Sequence, residues 1–484
     1  VTALLFFQIL ALLQFAAAVL TCIAVLVDRR FRAASAISWL LVISVVPIFG
    51  VALYWLAGKA WISALRTKRY ERERRRFAET SGIALDLRIK GVREALGRMP
   101  EGTRGLATLA GEISNFAPVG GNDIEFFSDT PALMASIAAD IDAAKKHVHA
   151  LFYIALDDSG GLPVMEAMIR AAERGVKVRF LVDAIGSLSF CKSATRARLE
   201  AAGVRVVEAL GTGLLSAFIE RIDLRNHRKL VVIDGQIGYI GSHNLAAATF
   251  KVKKKHAIWL DATCRLDGPA ANELQRVFAE DWWAETEESL DGIIKPSTSE
   301  EGGVLAQVVA TGPTNEEGAM QQVIATCVHL AKRELILTTP YFVPDEPTLV
   351  SLLTAARRGV KVTLVLPEHN DSLLVHLAAK SFFGRLLTAG VDVRRFRGGM
   401  LHAKTISVDD RLGLMTSANL DRRSFELNFE VSLLLYDKKA TEAMRALQED
   451  YIRRSDSVDR VSWLARPWWN RLIENSVGLA SPVL

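Results

Sequence analysis

The stretches NHRKLVVID (Asn226–Asp234) and LHAKTISVD (Leu401–Asp409) share one spelling, H-x-K-x4-D, and their recurrence decides how the chain is read. The first copy supplies His227, Lys229 and Asp234, and the second His402, Lys404 and Asp409. Each is followed at matching distance by Ser-x-Asn: Ser242 and Asn244 in the first case, Ser417 and Asn419 in the second. Both copies lie in apolar, β-branched runs, where strand alternation sets His and Lys on one face. Two half-sites with one histidine each predict a single composite active site.

The residue types suit displacement at a phosphodiester. That reaction needs a nucleophile on phosphorus, a proton for the departing alkoxide, and positive charge around the non-bridging oxygens. One histidine can attack while the other acts as acid, the two lysines hold the phosphate, and Ser242, Asn244, Ser417 and Asn419 surround it. This set calls for no metal and no cofactor. A lone H-x-K-x4-D is more often a satisfied polar residue beside a strand than a site. Two copies, each trailed by Ser-x-Asn, reverse that weighting.

The duplication extends beyond the motifs. AAERGVKVRFLVDA (Ala171–Ala184) returns as AARRGVKVTLVLPE (Ala355–Glu368), and AAGVRVVEA parallels TAGVDVRRF. Gly175 and Gly359 are 184 residues apart and His227 and His402 are 175 apart, which fits two similar halves with loop differences. Short tandem repeats have periods of about 20 to 50 residues. Each half reads strand, helix, strand, with Gly175 and Gly359 at helix C-termini, so the fold class is α/β with two sandwich halves. Expected divisions are a membrane anchor at 1–60, a basic helical linker at 61–110, and halves at 111–295 and 296–484. The seam is marked by Pro296 to Ser299, Gly302 and Gly303.

RNHRKLVVIDG, TPYFVPDE, GGMLHAK and NLDRRSFELNFE are far more specific than the bare motif. On them the catalytic portion resembles the phospholipase D superfamily, and the whole chain resembles the bacterial cardiolipin synthases. The resemblance implies that Asp234 and Asp409 are structural and that a later carboxylate orients each histidine. Glu430, 28 residues beyond His402, is that acid in the second half; Asp261, 34 beyond His227, is the similar position in the first, after a loop holding Lys251, Lys253, Lys254 and Lys255. It further implies a phosphohistidine on His227, with His402 as general acid and then base. Tyr153, Asp183, Tyr341 and Asp371 either shape the pocket or close strands.

Leu4 to Val27 is apolar and long enough to cross a bilayer of about 30 Å. Ala36 to Gly58 is a second apolar stretch with Trp39, Tyr54 and Trp55 near its ends and Pro47 inside, so two retained anchors are expected. The connection carries Arg29, Arg30 and Arg32, whereas the stretch from Lys59 to Arg76 carries eight cations, which favours a cytoplasmic catalytic region. The basic run Arg66 to Arg76 is either a solvated helix balanced by Glu71 and Glu73 or, the reading preferred beside an anchor, a surface for anionic headgroups. Trp463, Trp468 and Trp469, with Arg466 and Arg471, suit either an interface or packing on the fold.

The net charge of +5 is modest and concentrated near the anchor, which points to an anionic membrane rather than nucleic acid. Cys22, Cys191, Cys264 and Cys327 have neither zinc nor disulfide spacing. The resulting expectation is a multi-pass protein of the bacterial inner membrane that transfers a phosphatidyl group between two phosphatidylglycerols, giving cardiolipin and glycerol. A phospholipase D-type hydrolase and a phosphatidylserine-type synthase would use the same residues. A nuclease of the superfamily has no need of bilayer-length segments, and a non-enzymatic scaffold has no need of two intact histidine–lysine pairs. Acyl-chain preference and oligomeric state are not legible.

Overall fold

The structure is a computed structural model and describes residues 2–27, 33–58, 64–80, 97, 99–211, 223–250, 258–294, 299–316 and 318–478. The expectations that rest on Arg29, Arg30, Arg32, Lys59, the Lys251–Lys255 run and most of the Pro296 to Ser299 linker lie outside those residues. The chain forms two units, residues 1–63 with 213–223 and residues 64–212 with 224–484.

The larger unit is built on one mixed sheet of sixteen strands. Fifteen of them run, edge to edge, Ser455–Ser457, Asp392–Phe396, Lys361–Pro367, Glu334–Thr338, Thr405–Val408, Leu412–Thr416, Asn428–Leu435, Val304–Thr311, Val119–Phe127, Thr263–Asp267, Ile237–Gly241, Leu230–Ile233, His147–Phe152, Lys177–Asp183 and Arg205–Ala209. From the second strand onward the order is palindromic about the antiparallel pair Val304–Thr311 and Val119–Phe127, where the two halves of the duplication meet. The halves therefore join backbone to backbone. One apolar cluster crosses the seam, combining Leu266 and Phe278 with Ala306, Val308 and Leu433.

Local chemistry explains the repeated unit. Helices Gly161–Glu173 and Glu346–Arg357 end at Gly175 and Gly359, whose φ values of 86° and 90° are left-handed. There Val176 N and Val360 N donate back to Ala171 O and Ala355 O at 3.0 and 3.1 Å, closing the helix end before the parallel strand begins.

Two short cross-half ladders matter most for the site. Arg225–Asn226 pairs in parallel with Asn428 and Phe429, and Met400–Leu401 pairs in parallel with Trp259 and Leu260. Each places the residues preceding one motif histidine beside those preceding the other half's late carboxylate.

Helix Ala64–Thr80 turns part of the basic run onto the protein itself, while Lys68, Arg72 and Arg75 stay exposed. Four of its cations face the acidic helix Pro269–Thr286 and the turn after it: Arg66 pairs with Glu285, Arg69 with Glu287, Arg74 with Glu280 at 3.3 Å, and Arg76 with Asp291 at 2.5 Å. Tyr70 is buried in the same contact, stacked on Phe429 at 5.2 Å. At the other end of the chain the tryptophans divide. Trp463 packs on Phe383 at 5.0 Å under Arg466, whereas Trp468 and Trp469 remain exposed.

In the smaller unit, helix Thr2–Val27 contains a 23-residue apolar segment, Leu5–Val27, of mean hydropathy 2.6. At about 1.5 Å per residue it exceeds the bilayer core. The second apolar stretch does not form a second such helix. It runs as Ala33–Val45, breaks at Val46 (φ −133°, ψ 72°), and continues as Pro47–Leu53 and a π-turn Tyr54–Gly58. Trp39 and Tyr54, which a straight helix would hold about 22 Å apart, have ring centroids 5.6 Å apart. A Cβ on Gly50 would lie 2.7 Å from Ile43 Cα, so only glycine lets the chain fold back this tightly. Pro47 removes one helical N–H at the break, and the stretch becomes a hairpin closed by aromatic packing.

Candidate active site

Backbone pairing brings the motif residues together. His227 N donates to Phe429 O at 2.9 Å, and His402 N donates to Leu260 O at 2.7 Å. One residue on from each acceptor stands a carboxylate. His227 Nδ1 lies 2.9 and 3.1 Å from the Glu430 oxygens, and His402 Nδ1 lies 2.6 Å from Asp261 Oδ1. The orienting acids are therefore exchanged: each half supplies the carboxylate for the other half's histidine.

A carboxylate on Nδ1 fixes the tautomer with the proton on that nitrogen and leaves the Nε2 lone pair for chemistry. His402 Nε2 is 3.1 Å from Lys404 Nζ, while His227 Nε2 has no hydrogen-bond partner among the described residues. Lys229 Nζ and Lys404 Nζ donate to the carbonyls of their own histidines at 2.7 and 2.8 Å, which keeps both ammonium groups in the site. Tyr153 and Trp259 set their rings edge-on to His227 and His402, each with centroids 4.9 Å apart.

The two serines stand on the acids. Ser242 Oγ donates to Asp261 Oδ1 at 2.7 Å and accepts from Ala262 N at 3.0 Å. Ser417 Oγ likewise donates to Glu430 and accepts from Val431 N at 2.9 Å. Asn244 Oδ1 accepts from Ile154 N at 3.3 Å, and the matching oxygen of Asn419 is buried without a partner among the described residues.

Asp234 and Asp409 sit at the far ends of the strands that follow the histidines. Each has a positive φ of 53° and collects successive amides: Lys145, Lys146 and His147 for Asp234 at 2.8 to 2.9 Å, and Lys332, Arg333 and Glu334 for Asp409, the last two at 2.8 and 3.0 Å. The third letter of the motif pins the turn before the next strand rather than touching the histidines. Asp183 has a similar backbone task, accepting from Asn226 N at 3.1 Å and from Ile185 N and Gly186 N at 3.0 and 2.9 Å. Tyr341 lies 6.3 Å from the His402 ring and donates to Asp371 at 2.9 Å.

Arg228 and Trp259 were not singled out in the sequence. Between His227 and Lys229, alternation turns Arg228 to the opposite, fully buried face. It donates there to Glu430 O at 3.1 Å, to Asp281 at 2.6 Å and to Thr311 O at 3.2 Å. Tyr70 donates to the same Asp281 oxygen at 2.7 Å. A continuous polar chain thus ties helix Ala64–Thr80 to the backbone of the acid that orients His227.

Burial sets the charge states. It drives both histidines down to about 4, against the opposing pull of Glu430 and Asp261, with Lys229 and Lys404 adding to the depression. Burial likewise brings Lys229 down to about 7 and Lys404 to about 8. Both carboxyls stay below their usual range because the histidine beside each outweighs burial when joined by hydrogen bonds and lysine charge. The empty site at neutral pH holds two neutral imidazoles, two carboxylates and lysines poised near titration. An anion bound between them would favour protonated lysine and imidazolium.

The model of the cardiolipin synthase, PLD-like domain matches residues 137–282 and 324–451, and that of the phospholipase D-nuclease N-terminal region matches 16–59. The chain is 37% identical over 94% of its length to cardiolipin synthase A of Erwinia tasmaniensis, Edwardsiella ictaluri and Serratia proteamaculans, covering 94% of each. Among solved structures it is similar to the phosphatidylserine synthase of Haemophilus influenzae, with a TM-score of 0.59 at 15% identity, covering 79% of this chain and 97% of that one. At that identity the likeness speaks for the fold alone. Two matched segments within a duplicated α/β sheet, and full-length relatives above one-third identity, place the chain in the PLD-like cardiolipin synthase family.

Proposed function

We propose that the chain transfers a phosphatidyl group between two phosphatidylglycerol molecules, releasing glycerol and forming cardiolipin. The observation that carries this reading is the reciprocal wiring of two neutral histidines to ionised acids, with a lysine beside each. In the first step His227 Nε2 attacks phosphorus. The P–O bond to glycerol breaks, its electron pair stays on oxygen, and His402 Nε2–H protonates that oxygen. In the second step a hydroxyl of the second lipid gives its proton to His402 and attacks phosphorus, and the P–N bond pair returns to His227. The unpartnered Nε2 of His227, against the lysine-bonded Nε2 of His402, supports this division of roles. Lys229 and Lys404 hold the non-bridging oxygens, joined by Asn244 and Asn419.

Exchange of one phosphodiester for another is near-neutral in energy, so excluding water decides the product. We place the catalytic unit on the cytoplasmic face of the bacterial inner membrane, on the density of cations after the apolar segments. The test is the product profile of the purified protein on phosphatidylglycerol, beside His227→Ala and His402→Ala. Cardiolipin with equimolar glycerol is expected from the unaltered chain alone. Phosphatidic acid without cardiolipin would mark a hydrolase, and full cardiolipin production by either variant would refute the two-histidine mechanism.

A further inference from the structure

The duplication makes the two halves nearly equivalent, yet the proposed reaction treats its two lipids differently. The donor's phosphorus bonds to histidine, whereas the acceptor brings a second phosphodiester that does not react. A site that distinguishes them must break its own symmetry.

The clearest break lies beside Tyr341. An open pocket in the second half is lined by His376, Lys380 and Arg395, with Pro340, Leu366 and Phe383 as apolar wall. Asn370, also on the wall, donates to Pro340 O at 2.8 Å; the next residues in each segment are Asp371 and Tyr341, the hydrogen-bonded pair next to His402. Sheet register identifies the first-half counterpart of Arg395. Arg395 pairs with Leu366 and Glu208 pairs with Val182, and Leu366 and Val182 are equivalent in the repeated segment. Glu208 is neutralised by Arg196, so the first half closes this position with an ion pair.

In the second half the pairing is looser. Arg395 reaches Glu368 at 4.0 Å, and among the described residues its Nε is buried without a hydrogen-bond partner. Lys380 has no ion pair within 4 Å among the described residues, since the nearby Glu474 is held by Arg466 at 2.8 and 2.9 Å. Burial first, and then the charges of Lys380, His369 and Arg395, push His376 down to about 4. An orphaned buried donor among three basic side chains, floored by apolar residues, matches a phosphate carried on a lipid.

We propose that Arg395, Lys380 and His376 form a phosphate subsite that holds the non-reacting phosphodiester of the acceptor phospholipid. The proposal rests on the phosphatidyl-transfer reading, and the experiment separates the two. In detergent-solubilised full-length protein, Arg395→Gln with Lys380→Gln is expected to raise the KM for phosphatidylglycerol at least tenfold more than it changes the initial burst of glycerol. Phosphatidic acid should then rise at the expense of cardiolipin as water replaces the poorly held acceptor, and Arg395→Lys should restore the profile. An unchanged KM and product ratio, or a burst that falls in parallel, would overturn the subsite.

Binding is measured separately by calorimetry in the His227→Ala chain, with dihexanoyl phosphatidylglycerol and inorganic phosphate as probes. The double substitution should weaken lipid binding at least tenfold; equal binding in parent and variant overturns the subsite whatever the reaction proves to be. Tighter binding of the lipid than of inorganic phosphate supports the headgroup assignment, and equal affinity overturns it in favour of free phosphate. If the unaltered protein makes no cardiolipin while the charge-dependent binding persists, the transfer reading falls and the anion site stands.

Discussion

The exchange of acids between the halves predicts which step each carboxylate serves. Glu430 accepts from His227 Nδ1, from Ser417 and from Asn428 Nδ2, the last at 3.2 Å. In Glu430→Gln one oxygen must face these donors while the new amide meets the others, so the favoured orientation can turn its NH2 toward His227. That would move the imidazole proton to Nε2 and remove the nucleophile's lone pair. The charge lost is also large: at 2.9 Å and an effective dielectric near 20, a unit pair is worth about 6 kcal/mol. The amide dipole retains part of this, so the expected loss in kcat/KM is roughly 10³- to 10⁴-fold.

Asp261→Asn should reduce turnover similarly, but through His402, its hydrogen-bond partner and the residue proposed to protonate the leaving alkoxide. The discriminating assay uses a phosphatidyl ester of p-nitrophenol, whose leaving group needs no proton. It should rescue Asp261→Asn and His402→Ala by at least a hundredfold in the burst of nitrophenolate, and leave Glu430→Gln and His227→Ala inactive. The opposite pattern would refute the assignment of His227 as nucleophile, and Asp261→Asn behaving like His227→Ala rather than like His402→Ala would refute the cross-half wiring. Thermal unfolding of each variant shows whether a lost burst reflects lost fold.

For the pH dependence, kcat/KM should rise through about pH 4 as His227 becomes neutral and fall between about 7 and 8 as Lys229 and Lys404 lose their protons, including the one that Lys404 can pass to His402 Nε2 across 3.1 Å. Stability moves the opposite way in the upper range: the unfolded chain keeps its lysine protons to about pH 10.4, so between about 7 and 10 it binds more protons than the native state and stability rises with pH, as pH-dependent melting would show. Asp281→Ala strands the fully buried Arg228 and should cost about 3 to 5 kcal/mol in chemical unfolding; Tyr70→Phe removes one hydrogen bond to that acid and should cost about 1 to 2. A loss below 1 kcal/mol for Asp281→Ala would mean that Arg228 reaches solvent. Asp409→Ala should lower the melting temperature while leaving kcat of the folded fraction within about threefold, because three amides and no histidine depend on it. Since the second apolar stretch folds back at Val46, cysteines placed before Leu5 and after Gly58 should label from opposite sides of sealed vesicles; labelling from one side would restore a second crossing.

The histidines and lysines were legible because each lies inside a strongly patterned segment that occurs twice. Strand alternation was enough to put His227 beside Lys229, whereas Glu430 and Asp261, at unequal distances from their motifs, were singled out only by the family resemblance. Their partners were not legible, since a carboxylate two strands away in its own half and one brought by the other half look alike along the chain. That choice depends on the ladders Arg225–Asn226 with Asn428–Phe429 and Met400–Leu401 with Trp259–Leu260, pairs too short to leave a hydrophobic pattern. The pairing of the basic run from Arg66 was hidden for a related reason. The acids that meet Arg66 and Arg74 lie some two hundred residues away on helix Pro269–Thr286, beyond the reach of any local balance. Pro47 marked a break in the second apolar stretch, but composition could not tell a kink from a reversal, because the contact of Gly50 with Ile43 is a property of the hairpin alone.

The same limit explains why the repeat suggested symmetry where the structure shows a distinction. Matched motifs draw attention to what the halves share, and those shared groups are the ones proposed to act on a single phosphorus. Telling donor from acceptor, as the proposed transfer requires, calls for residues that the halves do not share. Arg228 opposite Ala403, and Arg395 opposite Glu208, are such departures, and each has a physical consequence: one anchors the acid of His227 through Asp281 and helix Ala64–Thr80, and the other leaves a loosely paired basic pocket beside Tyr341. In a duplicated enzyme the catalytic groups are found by what recurs, and the order in which substrates are used is found by what does not.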